Sequence, residues 1–409
     1  MNSKIREFLD KNIELTVKYS PESSGNLIGL PYPYTTPCAK DTFQEIYYWD
    51  TYFTNAGLLL WGKIEYAKNN IENMFYLIEK YGFMPNGSRT FYLNRSQPPF
   101  LSQMVRDLFE VTDDKEWLVR AYNILNIEYE FWQTKRITSN GLNGYTGYEI
   151  WDDIFESNYK YFVRRTGFKP EPEVEIDYEL QKKIYLATVS VCESGWDCNS
   201  RVKADGYYYN TVDLNALLYG MEENMRYFAI VLENGEEAIW EQRKLERQEK
   251  FQILWNPERE LFMDYNFETC EFSNYATVAS FYPMYTKVAT KEQAEKTMKL
   301  FDALNLEYGI SCGEPNPEWN CQWDYPNVWA PLQFVMYKAL VNYGYTEQAR
   351  IVANKYVNLV EKNFETTQNL WEKYDGITGE KASLEYNAPP MVGWTAGTYI
   401  FFNKELGLI

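Results

Sequence analysis

"DDKEWLVRAYNILNIEYEFW", residues 113–132, decides how the chain is built. Asp113 offers an oxygen acceptor at a helix N-cap, and Glu116 stands where it can reach back to the cap's own N–H. Apolar residues then recur at helical spacing, which predicts a helix over 114–136. A second helical pattern covers 99–111, and so short a link forces the two helices antiparallel. The same start chemistry recurs at Asn234 with Glu237 and at Thr290 with Gln293. Working outward, the periodicity predicts further helices near 3–18, 46–61, 64–81, 212–232, 235–255, 276–287, 291–304, 327–343, 346–364 and 391–403. Twelve helices in six pairs imply an all-α (α/α)6 barrel, the first helix pairing with the last. With no proline-rich linker, residues 1–409 read as a single domain.

Four long stretches interrupt the hairpins, at 82–98, 137–211, 305–326 and 365–390. Loops of this length in a compact domain are usually functional. Converging on one mouth of a helical ring, they would build a pocket.

Composition narrows what that pocket does. The chain has no histidine, so proton transfer near neutral pH falls to carboxylates or another group. Aromatic residues make up 18%, with 36 Tyr and 13 Trp, which suits wet, partly apolar surfaces such as sugar-binding ones. A net charge of −18 repels nucleic acid and anionic membranes but leaves a neutral substrate indifferent. Composition thus permits a small saccharide partner and argues against nucleic acid and membrane. No apolar run approaches a membrane span, and the charged N-terminus offers no apolar core of a signal peptide. Six scattered cysteines form neither a disulfide framework nor a metal ribbon. A reduced, cytoplasmic protein is the expectation.

Five stretches carry candidate chemistry. In "FQEIYYWDTYF" (43–53), a helix start would place Phe43, Tyr47 and Asp50 on one face, to stack on a sugar ring and accept from its hydroxyls. "MPNGSRTFYLNRSQPPF" (84–100) is a loop carrying Asn86, Arg95 and Gln97. In "CESGWDCNSR" (192–201), Gly195 permits a sharp turn and Trp196 would shield Asp197, raising its pKa as a general acid requires. An equal alternative pairs Asp197 with Arg201. "CQWDYPNVWAPLQ" (321–333) brings Gln322, Trp323 and Trp329, the indoles as two platforms and Asn327 as cap of a helix at 328. "WEKYD" (371–375) and "LEYNAPPMVGWTAG" (384–397) supply Glu372 and Glu385, although a pair such as Glu372–Lys373 is ordinarily a solvated surface feature. Each stretch alone has a structural explanation.

Together and in this order they resemble the trehalases, glycoside hydrolase family 37, across roughly residues 40–400. "F-x-E-x-Y-x-W-D-x-Y" (43–52) and "QWDYPNVWAP" (322–331) are similar to that family's two signatures. "PNGSRTFYLNRSQPPF", "ESGWD-x-x-SR", "EKYD" and "GWTAG" are similar to further family blocks. The resemblance implies an (α/α)6 barrel that hydrolyses an α-glucosidic bond with inversion, without metal or cofactor. It implies Asp197 as general acid and Glu372 as general base. It puts Phe43, Tyr47, Trp49, Asp50, Asn86, Arg95, Gly195, Gln97, Gln322, Trp323 and Glu385 where the family binds sugar. The two acids must then flank the substrate from opposite faces, about 6.5–9.5 Å apart.

The chain departs from the family in three places. Ala39, Lys40, Asp41 and Thr42 stand where the family has Pro-Gly-Gly-Arg, and Lys381, Ala382, Ser383 and Leu384 replace a glycine-rich run. The block upstream of the acid has only "FVRRTGFKPEPE" (162–173) as counterpart, so Arg164 or Arg165 would substitute for its arginine. These changes leave open an α-glycosidase with a non-glucose leaving group, or a sugar-binding relative that does not cleave. "WDDIFE" (151–156) matches a magnesium motif of terpenoid synthases only superficially, since no second metal block accompanies it.

Overall fold

A computed structural model of the chain describes residues 1–149, 178–318 and 321–409. "WDDIFE", Arg164 and Arg165 lie outside the described residues. Among these residues the helices are α1 (Ser3–Thr16), α2 (Tyr48–Leu60), α3 (Ile64–Tyr81), α4 (Leu101–Thr112), α5 (Lys115–Lys135), α6 (Tyr178–Glu193) and α7 (Val212–Leu232). They continue as α8 (Glu237–Phe251), α9 (Tyr282–Tyr285), α10 (Lys291–Thr297), α11 (Phe301–Leu304), α12 (Ala330–Asn342), α13 (Thr346–Thr367) and α14 (Gly393–Glu405).

Six of these form a closed inner ring. In order, α2 packs on α4, α4 on α7, α7 on α9, α9 on α12, α12 on α14, and α14 returns to α2. Outside them lie α3, α5, α8, the short pair α10 and α11, α13, and finally α1 against α14. The architecture is the (α/α)6 barrel, with the first helix completing the last pair. Closure depends on two glycines: a Cβ on Gly57 would come within 2.4 Å of Gly397 Cα, and one on Gly397 within 2.0 Å of Phe53 O. Backbones of α2 and α14 therefore touch where any side chain would hold them apart. The final glycine of "GWTAG" is thus a packing residue.

Inside the ring, Tyr52 stacks on Phe100 at 4.6 Å, with Phe53 and Phe334 edge-on to the pair. No described helix is long and apolar enough to cross a membrane.

The structure corrects several local expectations. Asp113 does not cap α5; it adopts a left-handed conformation at the end of α4, and the neighbouring Asp114 accepts from Trp117 N. Asn234 is likewise displaced, accepting from the backbone of Glu236, which occupies the cap of α8. Thr290 and Gln293 do form a reciprocal capping box. The stretch 137–211 is not one loop, because α6 lies within it. Residues 276–287 form only a 3-10 turn followed by the short α9. Asn327 caps nothing: Asn327–Trp329 is a strand, β1, and α12 starts at Ala330 with Pro331 in its first turn. β1 pairs antiparallel with β2 (Lys373–Asp375), and Trp329 lies opposite Lys373. That ladder brings the segment bearing Glu372 beside the one bearing Gln322 and Trp323.

Candidate active site

Tyr47 is the N-cap of α2, so Trp49 and Asp50 occupy its first turn. The exposed N–H groups of that turn are satisfied from the 84–100 loop: Tyr48 N donates to Asn86 O at 3.1 Å, and Trp49 N to the Gln97 side chain at 3.2 Å. Asn86 in turn donates to the carbonyls of Ser96 and Cys192, at 3.3 Å each. Phe43 is outside the helix, with φ of 49°, yet its ring still meets Tyr47 edge-on at 5.8 Å.

The segment carrying Asp197 is anchored by the fully buried Glu193. Its carboxylate accepts two bonds from Arg136, both at 2.9 Å, one from Ser96 N at 2.6 Å, and one from the Tyr148 hydroxyl. Sequence reasoning missed this residue, although it stands next to the motif it supports. Gly195 follows at φ of 75°, and a Cβ there would lie 2.8–3.1 Å from the Trp49 indole.

Trp196 is buried and packs on Trp323 and the Arg201 guanidinium. Arg201 is committed elsewhere than Asp197: it binds both oxygens of Asp213, at 2.7 and 2.8 Å, and both of Asp264. This excludes an Asp197–Arg201 partnership as the explanation of the motif. Asp197 is half-buried, and its carbonyl accepts from Gln322 Nε2 at 3.1 Å.

Glu372 is buried; its Oε1 accepts from the Tyr386 hydroxyl at 2.9 Å, and its carbonyl from Trp394 Nε1 at 3.1 Å. Trp323 and Trp329 are not two separate platforms. They stack on each other with centroids 3.9 Å apart and planes within 5°.

These segments enclose one cavity of about 490 Å³, within the range of small-molecule sites. All four long stretches contribute to it. Asp197 and Glu372 line it together with Phe43, Tyr47, Trp49, Asp50, Asn86, Arg95, Gly195, Gln97, Gln322 and Trp323. Glu385 does not: it is exposed, at φ of 69°, and accepts from Gln322 N at 3.4 Å. Thr42 is also exposed, donating to Cys38 Sγ at 3.4 Å, and is not part of the lining. Trp329, expected as a platform, also lines it, and Phe91, Tyr92, Cys192, Tyr386, Met391 and Trp394 join the lining without having been singled out for it. All six stood inside quoted motifs, which marked their segments without marking these side chains.

Electrostatically the cavity is acidic. Burial, with smaller contributions from the neighbouring Glu372 and Asp197, pushes the Asp50 carboxyl up to about 8. At neutral pH it is therefore mostly protonated and can both donate to and accept from a hydroxyl, rather than only accept. Among the described residues, Arg95 is the cationic side chain of the lining. Such a site suits a neutral polyhydroxy ligand on which positive charge develops.

The trehalase family model matches residues 1–407. A periplasmic trehalase from Xanthomonas axonopodis pv. citri is 32% identical over 92% of this chain and 68% of its own length. One from Salmonella agona is 32% identical over 95% and 70%. The structure of neutral trehalase Nth1 from Saccharomyces cerevisiae superimposes with a TM-score of 0.78 at 26% identity, covering 95% of this chain and 76% of that one. A mannosylglycerate hydrolase from Thermus thermophilus shares the fold, with a TM-score of 0.68 at 14% identity over 97% and 99%. The periplasmic relatives overturn the cytoplasmic expectation. It rested on the scattered cysteines and the charged N-terminus, but five of the six thiols are buried and shielded by packing whatever the compartment. With its barrel, its carboxylate-lined cavity and a match along nearly its whole length, the chain belongs to the trehalase family of glycoside hydrolases.

Proposed function

We propose that the protein hydrolyses trehalose with inversion at one anomeric carbon, Asp197 acting as general acid and Glu372 as general base, and residues 1–409 as one catalytic unit. The observation that carries the reading is the convergence of two carboxylates, remote in the chain, on a single aromatic-lined cavity. Asp197 gives its proton to the glycosidic oxygen as the bond to the anomeric carbon breaks. A water attacks that carbon from the opposite face and passes its proton to Glu372. Aromatic faces and the ionised carboxylate stabilise the oxocarbenium-like charge between these events. Asp50, Asn86, Arg95, Gln97 and Gln322 offer fixed partners for sugar hydroxyls, and water outside the reaction path is kept away by Trp49, Trp323 and Trp394.

Trehalose as the substrate is supported by the relatives' names and by the catalytic and sugar-facing motifs shared with the family. The experiment is incubation of the purified protein with trehalose, kojibiose, nigerose and glucosylglycerate. Turnover of trehalose far above the other three is expected; turnover of another glucoside in its place would overturn the substrate assignment.

A further inference from the structure

We infer that Lys373 and Tyr386 form a positioning pair that aligns the carboxylate of Glu372 and ties it to the segment bearing Asp197. This rests on the reading of Glu372 as general base. The sequence suggests a solvated Lys373, but the structure buries it completely.

A buried ammonium persists only where its donors and charge are compensated. Here Nζ donates to Gln322 Oε1 at 2.9 Å and to Leu384 O at 3.2 Å, and it sits 3.6 Å from the centroid of the Tyr386 ring. The Trp329 ring, opposite Lys373 across the β1–β2 ladder, lies 5.1 Å from Nζ. Lys373 therefore pins three segments at one point: the strand following Glu372, the 384–386 loop, and the loop carrying Gln322.

Each end of this arrangement reaches a reacting group. On one side the Tyr386 hydroxyl donates to Glu372 Oε1 at 2.9 Å. On the other, the Gln322 amide that accepts from Lys373 donates through Nε2 to the carbonyl of Asp197 at 3.1 Å. A cation on the face of a phenol draws electron density from the ring and strengthens its O–H as a donor. A hydrogen bond donated to a carboxylate favours the ionised form. Among the described residues, the electrostatic neighbours of Glu372 include Asp50 in the cavity lining and the buried Cys38, and Asp197 is in turn a neighbour of Asp50. Negative charge on any of these favours protonation of Glu372; the Tyr386 donor and the Lys373 ammonium oppose it and keep the base ready to accept a proton.

The test is the pH profile of kcat/KM on trehalose for Tyr386→Phe, Lys373→Met and Lys373→Arg beside wild type, with Glu372→Gln as control. Loss of the donor raises the pKa of the base, so the acidic limb of Tyr386→Phe moves toward neutral by roughly one pH unit. Its kcat falls roughly tenfold or more while KM changes by less than about threefold. Lys373→Met moves the limb the same way, and Lys373→Arg restores part of it. If Lys373→Met does not fold, Tyr386→Phe decides alone. An unmoved limb with KM raised makes Tyr386 a sugar contact and overturns the inference. Activity in Glu372→Gln would instead overturn the assignment of the base, a separate failure.

Discussion

Gly195 presses its Cα against the indole of Trp49, so closely that an added Cβ would meet the ring at 2.8 Å. The contact joins the turn bearing Asp197 to the first turn of α2, which bears Asp50. Gly195→Ala must shift one of them and also strain a backbone at φ of 75°, a cost of about 1–3 kcal/mol. The expected result is a fall in kcat/KM of roughly a hundredfold. Steady-state kinetics beside a thermal melt check it: unchanged kinetics would show that the contact does not position the acid.

Gly397 makes a comparable demand on the ring itself. Gly397→Ala sets a methyl 2.0 Å from Phe53 O, and α14 has to withdraw from α2. Overpacking of this kind typically costs about 1–3 kcal/mol, measurable as a lowered urea midpoint. A wild-type midpoint would contradict the account of ring closure.

Arg201 is predicted to be structural, despite its place in the family motif. Arg201→Met leaves Asp213 and Asp264, both buried, without the cation that binds them. Breaking a buried ion pair from one side costs about 3–5 kcal/mol. Denaturant unfolding should register that loss, and a variant as stable as wild type would refute it.

Asp50 makes stability depend on pH with a definite sign. Its folded pKa of about 8 lies above the ordinary aspartate value of 3.8, so between those values the folded state holds a proton that the unfolded state has lost. The contribution is complete below the lower value and is lost as pH rises toward 8, at up to about 1.4 kcal/mol per pH unit. Asp50→Asn removes the titration while keeping a donor and an acceptor. Its stability should fall less than that of wild type between pH 5 and pH 8 (about three units of that window), as read from melts across the range; parallel curves would contradict the shift.

The fold was legible wherever amphipathic helices met clear stops. α3 and α7 match their predicted limits to the residue, and Gly82 in a left-handed cap explains the end of α3. α6 escaped notice because residues 184–193 are buried all round and include β-branched Thr188, Val189 and Val191, so no polar face alternates with an apolar one. β1 was absorbed into a helix because a strand of three residues leaves no periodicity to detect. The adjacent Asp113 and Asp114 could each have capped α5, and only the backbone distinguishes the one ending α4 from the one starting α5. For the site, motif order drew in residues that line the cavity, whereas Glu385, expected among the sugar-binding residues, is exposed and outside the lining. What remained hidden was long-range partnership: nothing in "EKYD" announces that its lysine is buried against Tyr386 and Gln322.

Proton NMR of a fresh trehalose digest, for wild type, Asp197→Asn and Glu372→Gln, reads both the stereochemistry of hydrolysis and its dependence on the two carboxyl groups. Wild type should release one β-glucose and one α-glucose per bond before mutarotation. Each variant should lose roughly a thousandfold or more in rate while trehalose still perturbs its tryptophan fluorescence. Release of only the α-anomer, or hydrolysis undiminished in either variant, would contradict an inverting reaction run by these two carboxyl groups.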